Sequence, residues 1–125
     1  MLKLLYPYRC PLCEEIVTTE GFCRSCNARK QRAGYLGSDR IFAAYKYDFI
    51  AGAVYHLKYQ GKVAYGEILG KILWEEAESV IRRWNPDVIV PVPLHQRRLK
   101  RRGFNQAECL CKAISKGLGV PVRPE

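Results

Sequence analysis

The chain has 125 residues, 48% hydrophobic and 26% charged, which is room for one modest α/β domain with a small appendage and excludes both a disordered polypeptide and two full domains. Its formal charge of +9 at neutral pH favours polyanionic or phosphate-bearing partners. No stretch approaches the roughly 20 apolar residues of a membrane span, and the opening MLKLLYPY is too short an apolar run for a signal peptide, so a cytoplasmic protein is expected.

The charge sits at the two ends. Residues 1–40 carry seven cations against four acids, residues 41–90 six against six, and residues 91–125 eight against two.

Cys10, Cys13, Cys23 and Cys26 form two C-x2-C pairs separated by nine residues. Each pair is a knuckle that lets two thiolates converge on one ion, and two knuckles complete a tetrahedral zinc site with no position left for catalysis. The alternative is a disulfide framework or a pair of redox dithiols, which a reducing cytoplasm and the symmetry of the knuckles disfavour. Pro11 and Gly21 fit tight turns beside the ligands. Few apolar residues surround these cysteines, so metal would supply most of the module's folding energy, on the order of 10 kcal/mol or more.

Asn27 to Arg40 is polar, basic and glycine-punctuated, as suits a linker or the edge of the metal module. IFAAYKY, Ile41 to Tyr47, reads as a strand. Asp48 fits the cap of a following helix with Ile50, Val54 and Leu57 on one face; its His56 is assigned no chemistry. Gln60-Gly61-Lys62 breaks that helix and the next begins near Ala64. Ile68, Leu69, Ile72, Leu73, Ala77, Val80, Ile81 and Trp84 trace a stripe at the helical period opposite Glu67, Glu75, Glu76 and Glu78, which is a core stripe rather than a cofactor box. Asn85-Pro86 stops it.

The stretch from Asp87 to Glu108 is the most informative. Val88, Ile89, Val90 and Val92 read as a buried strand of a sheet covered on both faces. Arg97, Arg98, Lys100, Arg101 and Arg102 then crowd a loop, Gly103 allows a turn, and Asn105 with Glu108 fits a helix cap and capping box. A strand, a cationic loop and a capped helix N-terminus make an anion site, and ligands of open α/β sheets bind at the carboxyl ends of strands. The bland alternative is a solvated basic loop. Ala107, Leu110, Cys111, Ile114 and Leu118 mark one face of the following helix, ended by Gly117 or Gly119. Cys109 and Cys111 read as small helix-packing residues, with a free reactive thiol as the alternative. Val120-Pro121-Val122 would begin the next strand of a right-handed β-loop-α-β unit.

The four-cysteine module, LKYQG at Leu57 to Gly61, and VIVPVPLHQRRLKRRGFNQA at Val88 to Ala107 together resemble the ComF family. Its members are phosphoribosyltransferase-like proteins with an N-terminal zinc ribbon, associated in bacteria with DNA uptake during natural transformation. The resemblance implies an α/β fold with a zinc ribbon over residues 1–36 and, over 37–125, the first half of a type I phosphoribosyltransferase-like parallel sheet with flanking helices. It maps a pyrophosphate loop onto Pro93 to Asn105, so that Arg97, Arg98, Arg101, Arg102, Gly103, Phe104, Asn105 and Gln106 form the expected phosphate-binding set. Lys58 and Tyr59 match a lysine-bearing helix end. The family's later loop, with two adjacent acids and a Thr/Gly-rich turn for the ribose 5-phosphate, has no counterpart here, and the sequence holds no Asp-Asp pair. The chain therefore resembles only the amino-terminal part of such a protein. No catalytic residue is assigned, and magnesium with phosphoribosyl pyrophosphate belongs to a complete protein.

Two functions follow as expectations. One is a competence-associated protein that binds phosphoribosyl pyrophosphate, alongside competence-protein partners. The other is a zinc-ribbon module for single-stranded DNA without enzymatic activity, with Tyr6, Tyr8, Phe22 and Tyr35 as stacking aromatics.

Overall fold

The computed structural model describes residues 7–59 and 63–123. Strands β1 (Tyr8–Arg9) and β2 (Ile16–Val17) form a small antiparallel hairpin, with Tyr8 opposite Val17 and Arg9 opposite Ile16. Helix α1 (Arg24–Ala28) follows, and then a second antiparallel hairpin of β3 (Arg32–Tyr35) and β4 (Phe42–Tyr45). Helices α2 (Tyr47–Tyr59), α3 (Val63–Trp84), α4 (Gln96–Arg102) and α5 (Gln106–Leu118) complete the chain. The segment read as linker thus contains β3. Its pairing puts Arg32 opposite Tyr45 and Tyr35 opposite Phe42, so the strand is made by its partner rather than by its own polar sequence. The expected break at Gln60-Gly61-Lys62 lies outside the described residues.

The helices agree with the periodicity. Ala53 and Leu57 of α2 meet Tyr65, Ile68 and Leu69 of α3 in one buried cluster, with Ile50, Ile72, Phe104 and Leu110 packed around it. A fully buried Leu or Ile contributes about 1.5–3 kcal/mol, so this cluster carries much of the helical layer. Asp48 lies in the first turn of α2, one residue inside the helix rather than at its cap, where its charge still complements the helix dipole. Trp84 ends the long stripe in a different role, with its indole N–H donating to the Asp39 carbonyl at 2.8 Å.

Helices α3 and α5 approach each other closely because glycines line the contact. A Cβ added to Gly66 would stand 2.9 Å from the Cβ of Cys109, and one on Gly70 would stand 2.6 Å from that of Ala113. Cys109 is therefore a packing residue, and burial raises both its thiol and that of Cys111 above the usual range.

Hairpin β3–β4 is fixed to α3 by charge as well as by packing. Arg32 Nε donates to Glu76 Oε2 at 2.7 Å and its Nη2 to Oε1 at 3.1 Å, while the Tyr45 hydroxyl donates to Oε1 at 3.1 Å. These partners, Arg32 foremost, hold the Glu76 carboxyl below the usual carboxylate range. A carboxylate depressed on folding stabilises the native state above its unfolded pKa and loses that contribution as pH falls through its folded value. Acid titration of the wild type is therefore expected to show a loss of stability below about pH 4.5 that Glu76→Gln lacks. Parallel acid-unfolding curves of the two proteins would contradict this.

The expected parallel pairing with residues 120–122 is present as a single bridge, and the departure concerns the burial of its first strand. Residues 88–92 do not form a strand buried on both faces. Ile89 alone makes a parallel bridge to Val122, with Ile89 N–H donating to the Pro121 carbonyl at 3.0 Å and Arg123 N–H to the Ile89 carbonyl at 2.8 Å. Val88, Val90 and Val92 remain exposed. A strand becomes interior only when neighbours pair with both its edges and layers cover both its faces. Here one short partner supplies one edge, so the apolar run keeps its extended direction without its burial. The architecture shown is a mixed α/β chain with two small antiparallel hairpins and a helical layer.

The basic segment also differs. Residues 96–102, read as a loop, form helix α4, with the His95 ring nitrogen accepting from Arg97 N–H at 3.2 Å. Arg and Lys are good helix formers, and a helix spreads their charges around its surface. Gly103 closes α4 at φ +83°, its N–H donating to the Leu99 carbonyl at 2.7 Å; this left-handed cap favours glycine. Asn105 is the N-cap of α5, with Oδ1 accepting from Ala107 N–H at 3.0 Å. Glu108 does not return to close a capping box but reaches Lys112 at 3.7 Å. Gly119, not Gly117, ends α5.

Candidate metal centre and basic cleft

The two knuckles converge. The sulfurs of Cys10, Cys13, Cys23 and Cys26 all lie within 4.8 Å of one another, and those of Cys13 and Cys23 are 3.6 Å apart. Four thiolates about 2.3 Å from a tetrahedral zinc ion stand about 3.8 Å from each other, so the donor set and its spacing fit zinc. The local chain explains the geometry. Cys10 N–H donates to the Glu15 carbonyl at 2.8 Å and Glu14 N–H to the Cys10 carbonyl at 2.8 Å, folding the first knuckle back through Glu14 at φ +64°. Cys23 is the N-cap of α1, and its sulfur accepts from Cys26 N–H at 3.3 Å.

The electrostatics of this cluster call for a cation. Burial works against the Cys10 thiolate, yet backbone N–H donors from Cys13, Cys23 and Leu12 outweigh it and bring the thiol down to about 7. Cys26 is pushed up to about 12, by burial first and then by its sulfur neighbours. The Cys10 thiolate is favoured while those of Cys13 and Cys26 are opposed, so four ionised sulfurs need a dication among them. Arg29 Nη2 donates to Cys26 Sγ at 3.3 Å, which offsets the residual negative charge of a four-thiolate centre. Only the position of Arg29, three residues past Cys26, hints at this in the sequence.

The module is joined to the helices at several points. Leu12 packs against both the cysteine cluster and the helical core. His56 of α2 holds the first knuckle from both ring nitrogens, Nδ1 lying 2.9 Å from the Pro11 carbonyl and Nε2 3.2 Å from Glu14 Oε1. Lys71 of α3 reaches Glu20 at 2.6 Å. His56 is therefore a docking residue, outside the metal ligand set.

The second feature is a basic cleft of about 360 Å³ between the end of α2 and helix α4, lined by Lys58, Tyr59, Arg98, Arg101 and Arg102. It joins Lys58 and Tyr59 to a cationic run some forty residues away in sequence, as LKYQG and RGFNQA could not show separately. Among the described residues, no carboxylate lines this cleft and none pairs with Lys58, Arg98 or Arg101. Arg102 donates to Gln106 Oε1 at 2.8 Å, and its guanidinium carbon stands 5.6 Å from the centre of the Tyr59 ring. Arg97 does not line this cleft but an adjoining hollow with His95, Arg98 and Arg101.

The remaining residues of the expected phosphate set hold this arrangement in place. Phe104 packs on the helical core. Asn105 both caps α5 and donates from Nδ2 to the Val92 carbonyl at 3.1 Å, tying residues 88–94 to the helix start. Gly103 forms the turn and Gln106 orients Arg102.

The aromatics expected to stack unpaired bases are mostly engaged elsewhere. Phe22 contacts the rings of Tyr45 and Phe49 at 5.9 and 5.5 Å. Tyr35 packs edge-on against Phe42 at 5.8 Å, and its hydroxyl accepts from Arg83 at 2.9 Å. Tyr6 lies outside the described residues.

No helix among the described residues is long and apolar enough to cross a membrane. No family model matches the chain, and no solved structure matches it significantly. Curated proteins do match. Competence protein ComFC of Bacillus subtilis is 28% identical over 121 residues, covering 92% of this chain and 48% of that protein. DNA utilization protein YhgH of Escherichia coli is 38% identical over 68 residues, covering 52% of this chain and 30% of that protein. Competence protein F of Haemophilus influenzae is 23% identical over 125 residues, covering 90% and 55% respectively. The chain spans about half or less of the length of each of these relatives. With the converging cysteine knuckles and the Val88 to Ala107 motif, these matches show a chain similar to competence proteins ComFC and F over part of their length.

Proposed function

We propose that this chain is the metal-stabilised, phosphate-binding part of a protein that handles DNA during uptake, with zinc in a structural role and single-stranded DNA as the ligand of the basic cleft. The observation that carries this reading is the cleft itself, in which Lys58, Arg98, Arg101 and Arg102 converge with no carboxylate in the lining among the described residues. Unpaired converging cations repel one another, and a polyphosphate backbone relieves that repulsion while releasing its own counterions. The relatives' names, competence and DNA utilization, place them in DNA handling, in keeping with this chemistry.

The same cations suit the pyrophosphate of phosphoribosyl pyrophosphate, the ligand implied by the phosphoribosyltransferase resemblance. Catalysis is not part of the proposal, because the adjacent acids that would position a ribose and its magnesium have no counterpart in the sequence. Saturating phosphoribosyl pyrophosphate should raise the melting temperature in a concentration-dependent way if the cleft takes it. No shift would leave the single strand as its ligand.

The test of the main reading is salt dependence. Fluorescence anisotropy with a labelled single-stranded oligonucleotide should give a log affinity that falls linearly with log salt, by about 0.7 per phosphate neutralised. Replacing Arg98, Arg101 and Arg102 together by Ala should lower the slope by about 2, since each contributes one contact. An unchanged slope rejects the cleft as the contact.

A further inference from the structure

Of the stacking aromatics expected from sequence, Phe22 and Tyr35 are engaged with other rings, whereas two further tyrosines lie exposed at the end of α2. Tyr55 and Tyr59 sit one turn apart on α2, 55% and 65% exposed, with ring centres 5.2 Å apart and planes tilted by 46°. Among the described residues no carboxylate lines the cleft; Tyr59 does line it, and Tyr55 precedes Tyr59 by one turn of the same helix. Arg102 stands over one of them, so ring, guanidinium and flanking cations form one continuous strip.

We infer that Tyr55 and Tyr59 form a stacking platform for unpaired bases, with a base entering between the Tyr59 ring and the Arg102 guanidinium while its phosphates run along Lys58, Arg98 and Arg101. The inference rests on the reading of the cleft as a nucleic-acid site and adds to it the groups that read bases rather than backbone. A base between two planar groups needs about 3.5 Å on each side, or about 7 Å in all. The guanidinium carbon stands 5.6 Å from the ring centre, so Arg102 must withdraw by only about 1.5 Å, within the reach of a flexible side chain. Base stacking on an aromatic ring is tolerant of sequence because every base has a π-face, whereas a duplex keeps its bases stacked on each other and offers none. The platform therefore selects single strands of any sequence. Free pyrophosphate fills the cationic part alone and leaves the rings unused.

The zinc-loaded full chain is tested by anisotropy with a short oligodeoxythymidine, the matched abasic deoxyribose-phosphate oligomer and a duplex of equal length. The wild type is expected to bind the thymidine oligomer about tenfold or more tightly than the abasic one. Tyr59→Ala should remove most of that preference, and Tyr59→Phe should retain it. Both rings are largely exposed, so the variants should melt like the wild type, and Tyr55→Ala gives a second reading of the platform. Equal affinity of the wild type for both oligomers, or a full preference surviving in both Tyr→Ala variants, overturns the platform while leaving the phosphate cleft standing. Duplex bound as tightly as single strand overturns it as well. No binding of any of the three at low salt overturns the nucleic-acid reading and the platform together.

Discussion

Cys10→Ser is expected to abolish stoichiometric zinc and to unfold the amino-terminal module. Metal analysis of wild-type protein purified without chelator should return about one equivalent, and the variant close to none. Cys10 is fully buried, its backbone closes the first knuckle onto Glu14 and Glu15, and its thiol is the most readily ionised of those whose titration is displaced. A serine oxygen is a poorer ligand for zinc and lacks that ready anion. The free energy at stake is large, because structural zinc binding of about 10–16 kcal/mol at neutral pH is folding free energy in modules of this kind. The loss should also spread. Leu12 and Phe22 leave the helical and aromatic clusters when the knuckles open, and the His56 and Lys71 contacts go with them. Chelation of the wild type should accordingly expose residues 7–31 to protease and lower the melting temperature of the remainder. A chelated chain that resists protease there would show that the cysteines hold their geometry without metal.

The parts legible in the sequence are those whose physics is local. The cysteine spacing specified a convergent cluster because two residues between thiols suffice to aim both at one point. The core face of α3 was legible because Ile68, Leu69, Ala77, Val80 and Ile81 repeat at the helical period over about four turns. The turn at Gly103 and the cap at Asn105 followed from backbone freedom and side-chain chemistry. What the sequence misstated depends on partners. Arg32 to Tyr35 is a strand only because Phe42 to Tyr45 pairs with it. Val88 to Val92 has strand composition, yet a strand's burial is conferred by neighbours rather than carried in its own residues. The basic run looked like a loop because charge density suggests solvent, although Arg and Lys favour helix as readily as most residues.

The cleft shows the same division. Both halves were visible as sequence motifs, but their meeting depends on α2 and α4 being held by a common core. Leu57 is buried next to Lys58, and Phe104 packs on the same cluster two residues beyond Arg102. Each cationic element is thus anchored by an apolar neighbour, which holds charges near one another that would otherwise move apart. Phe104 therefore matters to the cleft through position rather than contact.

That dependence leads to the second large effect, which lies at the contact between α3 and α5. Gly70→Leu is expected to destabilise the chain by about 3 kcal/mol or more, with a melting transition lower by ten degrees or so. A Cβ at Gly70 already falls 2.6 Å from the Cβ of Ala113 and 3.4 Å from the Cys109 carbonyl oxygen, before any of the leucine's outer atoms are placed. Ala113 offers no rotamer to relieve the first overlap and the backbone carbonyl cannot turn away, so α5 must move outward as a unit. Outward movement also carries Asn105 and Phe104, and with them the attachment of α4. The variant should therefore lose oligonucleotide affinity although Gly70 touches no residue of the cleft. Gly70→Ala, which adds the clashing Cβ alone, should fall between the two, and Ala113→Gly combined with Gly70→Ala should recover part of the loss because it removes the atom that is struck. Additive effects in that double variant would show that the helices accommodate the methyl elsewhere, and that the glycine is not what sets their separation.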